Sequence, residues 1–168
     1  MTSSGRLFSI SQTTLRFLLS AWIGAAVLYV ITSVAEQTSP NFESVVRDQL
    51  ATIRFPLYYK FGFAVHGLAI VASLVVLATA PDVLRRRATA VATLIAVSMV
   101  LVTLDYHFIY SPLQELITPP GQSRTPDFIR LHTWSRHANE VHLMVIFVAA
   151  IISSLPNPPS KAVPEHGD

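Results

Sequence analysis

Long apolar runs separated by short polar segments set the pattern of this chain. Four stretches, residues 15–35, 57–80, 88–108 and 128–155, come close to the ~20 mostly apolar residues a helix needs to cross a bilayer. In the last of them the apolar run starts only near Asn139, so its helix must reach back through the polar segment "LHTWSRHANEVH". Backbone groups in hydrocarbon have to be satisfied within their own segment, so each stretch is predicted to be helical. The expected fold is all-α, an integral membrane four-helix bundle.

The connections refine this picture. After residue 35, Ser39 can cap and Pro40 can open a helix, and Phe42, Val45, Val46, Leu50 and Ile53 then recur at helical spacing with Glu43, Arg47 and Asp48 between them. This pattern predicts a short interfacial amphipathic helix over about 40–54 that ends before Pro56; a helical lid over the bundle has the same pattern. The turn from Pro81 to Arg87 is tight, so spans two and three should be antiparallel neighbours. The link from Ser111 to Asp127 carries four prolines and Gly121 and is expected to be mostly irregular. Residues 1–155 thus form one four-span domain. The tail 156–168, "PNPPSKAVPEHGD", is too polar and proline-rich to pack and is expected to be disordered.

The first span has a competing reading as a secretory signal, since Arg6 and Arg16 precede its core and Ser33, Val34 and Ala35 resemble a small-x-small cleavage site. Its length, and Trp22, Gly24 and Tyr29 within it, favour a retained span.

Composition narrows the class. The chain is 51% hydrophobic and 13% charged, with a mean hydropathy of +0.48, well outside soluble usage. A net charge of +2 with scattered basic residues gives no stripe for nucleic acid. The absence of cysteine excludes disulfides, thiolate chemistry and covalently attached haem. With four spans, six basic residues fall on each side of the membrane; the dense Arg85-Arg86-Arg87 turn, joining two spans, decides for cytoplasmic termini. The expected location is the inner (plasma) membrane, multi-pass, with the lipid bilayer as partner and a homo-oligomer or other membrane subunits as further partners.

Candidate chemistry lies in the polar groups of the spans. His66 shares a helical face with Tyr59, Gly62, Ala69 and Ser73, a stripe suited to close helix contact. Asp105 and His107 sit near the end of span three, two residues apart and therefore on different faces. On span four, His132, Ser135, Asn139 and His142 form one stripe, while His137 and Glu140 lie away from it and Arg136 is placed to pair with Glu140. A metal site would draw on His66, His107 and His142 with Asp105, a nitrogen and oxygen set suited to copper or zinc. His66 and His142 on facing helices would also suit the axial positions of a b-type haem. For each of these residues a structural role, hydrogen-bonded inside the bundle, is the competing reading.

Trp22 and Gly24 in span one, the "PLYYKFG" start of span two, Pro112, and Phe128, Leu131, His132, Ser135 and Asn139 at the start of span four resemble an uncharacterised family of four-helix bacterial membrane proteins. That family is similar to the human transmembrane protein associated with platinum-drug resistance. A fainter similarity, to membrane proteins of the copper-resistance D type, rests on the W-x-G of span one and the histidines. The resemblance implies the four-span architecture but no reaction. His137, Glu140, His142 and the proline-rich third link depart from the family pattern.

Two functions follow as expectations. The first is a non-enzymatic membrane protein that handles small molecules or ions or serves as a subunit of a membrane complex; no nucleophile–base pair or phosphate loop points to catalysis. The second is a histidine-ligated metal or b-haem protein for copper handling or electron transfer.

Overall fold

The structure, a computed structural model, describes residues 3–156. The expected disordered tail therefore lies, from residue 157 on, outside the described residues. The elements are α1 (Ser3–Thr38), α2 (Ser44–Thr79), α3 (Asp82–Asp105), a π-helical turn (Tyr106–Tyr110) that continues into α4 (Ser111–Glu115), and α5 (Pro126–Ser154), with no strand among the described residues. Four helical stretches are long and apolar enough to cross a membrane: α1, α2, α3 extended through α4, and α5.

Buried positions show how these helices pack. They fall at Leu15, Leu19, Trp22 and Ala26 on α1, at Leu84, Ala88, Val91, Ile95, Ser98, Val102 and Asp105 on α3, and at His142, Ile146, Ala149 and Ser153 on α5. Alternating steps of three and four produce one seam per helix, the spacing that lets helices lie almost parallel with interlocking side chains. The helices contact one another in the cyclic order α1, α2, α3, α5. Pairings such as Trp22 with Tyr58 and Tyr59 with Asp105 show sequential neighbours running antiparallel. One end of the bundle therefore holds the α2–α3 turn and the ends of α1 and α5 (the terminal end), and the other holds connections 39–43 and 116–125 (the loop end).

The outward faces carry a belt of exposed apolar side chains, among them Phe17, Leu28, Leu68, Val71, Val100, Phe108, Met144 and Phe147. A belt of this extent would drive association in water and is stable against hydrocarbon.

At the terminal end, two arginines close α5. Arg87 donates to the carbonyls of Ile152 at 2.6 Å and Ser153 at 2.9 Å, and also to Leu155. Arg16 Nε donates to Ser153 O at 2.7 Å. The last carbonyls of a helix lack partners in their own helix, and a guanidinium supplies both donors and a charge that suits the dipole. At the other end of α5, Thr125 accepts from the Phe128 N–H at 3.2 Å, Pro126 opens the helix and Asp127 occupies its first turn. These signals explain why the helix starts well before the apolar run.

Two boundaries differ from expectation. The interfacial helix over 40–54 is not a separate element: residues 44–54 are the first turns of α2, which runs through Pro56 without a break. Proline removes one helical hydrogen bond, but Asp48, Tyr59, Gly62, His66, Ala69, Ser73 and Val76 form one buried seam on both sides of it. Packing holds the helix together across the missing bond. The link after span three is also shorter than expected, since helical structure continues to Glu115 and leaves only 116–125 irregular.

Candidate functional site: a cleft at the loop end

The terminal half of the bundle packs around Leu15, Leu19, Ala69, Ala72, Val91, Ile95, Ile146 and Ala149. Toward the loop end the filling changes from aliphatic to aromatic. Trp22 spans the transition, its ring 5.1 Å from Tyr58 and 5.3 Å from His66. It lies there because Gly62 offers no side chain: a Cβ at that position would stand 2.7 Å from the indole edge.

The two buried histidines flank this indole. His66 Nδ1 lies 2.8 Å from the Gly62 carbonyl, one turn back on its own helix, and its Nε2 lies 3.0 Å from Ser98 Oγ. A carbonyl can only accept, so Nδ1 carries the proton and Nε2 accepts from the serine hydroxyl. His142 Nε2 accepts the indole N–H of Trp22 at 3.1 Å, so that nitrogen carries no proton. The two rings are 5.6 Å apart, and both Nε2 atoms are engaged by neighbouring helices.

Above this layer, Tyr29 stacks on Tyr58 with ring centroids 4.4 Å apart, and Tyr59 meets Tyr110 at the same separation. Phe55 lies between the two groups. The π-helical turn brings Tyr106 and Tyr110 against Tyr59, as such turns do when they rotate the residues that follow. Tyr59 donates to Asp105 Oδ2 at 2.5 Å, and the other carboxylate oxygen, buried, has no hydrogen-bond partner among the described residues. Ser135 stands beside this pair.

Over the aromatic floor lies a cleft of about 320 Å³, within the range of small-molecule sites. Val30, Val34, Leu50 and Ala51 make one apolar wall, and His132, Ser135, Arg136 and Asn139 of α5 make a polar wall. Ion pairs frame the mouth. Arg54 binds Glu36 and covers the Tyr29 ring at 5.0 Å, and Arg124 binds the buried Asp48. The second oxygen of Asp48 accepts the Gly121 N–H at 2.9 Å. Gly121 has φ of 92°, and a Cβ there would meet Val45 at 2.9 Å, so glycine is required twice over. The loop 116–125 is thus tied to α2 beside the cleft.

Most of the residues singled out from sequence are not brought together. His66 and His142 adjoin, but Asp105 lies two turns beyond Ser98, or ~10 Å along α3, and His107 is exposed, with a ring contact to Tyr106. Among the described residues no group of three or more His, Asp or Glu is placed to hold a metal ion, which removes the basis for the copper or zinc set of His66, His107, His142 and Asp105. The histidines do not form a rich cluster either, since His107, His132 and His137 are exposed at separate places. A haem between His66 and His142 does not fit the residues present, because the two rings already adjoin, Trp22 packs against both of them, and a porphyrin would have to part the rings and break both Nε2 hydrogen bonds.

His132, Ser135 and Asn139 line the cleft, and Asn139 Oδ1 accepts from Tyr58 at 2.7 Å. Arg136 Nε lies 4.0 Å from Glu140, both side chains exposed, and His137 Nδ1 lies 3.2 Å from the same carboxylate. Sequence reasoning missed the tyrosine floor, Arg54 and Asp48. The signal for the α2 members was the seam spacing from Asp48 to Val76, which keeps its register through Pro56 and puts Asp48, Arg54, Tyr58 and Tyr59 on one helix; Tyr29 and Tyr110 come from other elements.

Compared with protein-family models, curated proteins and solved structures, the chain shows no match.

Proposed function

We propose that the protein is a multi-pass inner-membrane protein that binds a small organic molecule in the loop-end cleft, with both termini in the cytoplasm and the cleft facing outward. The observation that carries this reading is the cleft itself: an open volume with an aromatic floor, one apolar wall and one polar wall, in a bundle that is otherwise closely packed. The apolar belt supports the bilayer as surroundings, and the arginines of the α2–α3 turn support the orientation. The role is binding or handling rather than catalysis, alone or as a subunit of a larger membrane assembly. Membership of the resembling four-helix family belongs to the same proposal; Trp22 and Asn139, two residues that carry the resemblance, sit beneath the cleft and in its wall.

The absence of cysteine makes a direct test simple. Ala51→Cys places one thiol in the cleft, and Val91→Cys places one in the packed core. A membrane-impermeant maleimide applied to intact spheroplasts should label the first and not the second. Labelling of Ala51→Cys only after the membrane is opened would reverse the orientation. No labelling in either condition would mean a closed cleft and would sink the reading.

A further inference from the structure

The hydrogen-bonding groups of the cleft are unevenly used. Both carboxylates in the lining are already engaged by the protein: Glu36 by Arg54, and Asp48 by Arg124 and Gly121. Two amide side chains in the lining have lost their oxygens to tyrosines in the same way. Tyr58 donates to Asn139 Oδ1 at 2.7 Å, and Tyr110 donates to Gln114 Oε1 at 2.6 Å. Each amide then keeps an NH₂ group, two donors with no protein partner among the described residues. Arg136 adds a guanidinium whose one counter-charge, Glu140, is 4.0 Å away and as exposed as itself, a weak pair in water.

Charge points the same way. Three arginines and two carboxylates line the cleft, so one positive charge remains over. Two further carboxylates nearby do not line the cleft: Asp105 lies behind Tyr59, and Glu140 is exposed beside Arg136. Below the donors, Tyr29, Phe55, Tyr58, Tyr59 and Tyr110 present an aromatic surface.

We infer that the ligand is an organic anion with an aromatic body, its carboxylate-like head held by Arg136 and the Asn139 NH₂ and its ring lying on the tyrosine floor. Donors left over by internal bonding select an acceptor, and a fork-shaped guanidinium suits a two-oxygen head. The inference rests on the cleft being a binding site and adds the class of ligand.

The test uses the full chain in nanodiscs of zwitterionic lipid, with naphthalene-2-carboxylate as probe and empty nanodiscs as blank. Naphthalen-2-ylmethanol and naphthalen-2-ylmethylammonium keep the ring and change the head. The carboxylate should bind best in calorimetry. Its affinity should fall about tenfold in Arg136→Gln and further in Asn139→Asp, which keeps the acceptor for Tyr58 and adds a repelling charge. Arg136 is exposed, so its replacement leaves the fold intact and keeps the test decisive. Equal or tighter binding of the ammonium compound, lost in Phe55→Ala, would overturn the anion assignment while leaving a binding cleft. No binding of any probe above the blank, or a co-purified phospholipid that the carboxylate does not displace, would overturn the assignment and count against the cleft as a small-molecule site.

Discussion

The two halves of the bundle handle polar groups in opposite ways. At the terminal end, Arg16 and Arg87 spend their donors on the carbonyls that close α5, and the surrounding packing is leucine, alanine and valine. At the loop end, tyrosines occupy the acceptors of Asn139, Gln114 and Asp105 and leave amide and guanidinium donors around an open cleft. Similar residue types therefore give a sealed end and a receptive one. What separates them is whether the donors meet backbone acceptors that have no other partner.

The comparison can be broken at several points. Replacing Asp48 by alanine should have the largest effect. It removes a side chain that is 2% exposed and strands Arg124 and the Gly121 N–H, for an expected loss of about 3 kcal/mol. Hydrogen exchange should rise across 116–125 and the α2 start, while the terminal end keeps its protection. Equal loosening at both ends would show that the halves are not independent.

Gly62→Ala should come next, at about 1–3 kcal/mol by overpacking. The new methyl would push Trp22 off its bond to His142, and a red shift of tryptophan emission should accompany the lower unfolding midpoint. An unchanged spectrum would mean the indole is not held at the boundary between the halves. Arg87→Ala should cost about 1–2 kcal/mol by leaving α5 carbonyls without donors, with lysine restoring only part of it because it lacks the fork. Ligand binding in the cleft should survive this change, and its loss would couple the two ends.

The smallest effect belongs to His107→Ala. Its side chain is exposed and outside both networks, so stability should shift by less than about 0.5 kcal/mol. A larger shift that depends on added copper or zinc would revive the metal set.

Much of the architecture was legible along the chain. That α5 begins before its apolar run was readable from the shortness of that run, and the antiparallel pairing of α2 and α3 from their tight turn. Pro56 misled because a local rule, that proline ends a helix, was outweighed by a seam that packs on both sides of it. His107 misled for another reason. Spacing placed it near the right level, but only the rotation of α3 decides whether a side chain faces the bundle, and Asp105 took that face.

Four apolar helical segments, their order and the polar character of the fourth helix's first turns were determined by the sequence alone, because apolar length and backbone hydrogen bonding are properties of each segment by itself. The tertiary structure decided which polar groups meet. Trp22 with His142, Tyr58 with Asn139, and Tyr59 with Asp105 join residues from different helices. Their meeting depends on helix rotation and depth, and that is set by the packing of whole seams, with Gly62 admitting the one large ring between them.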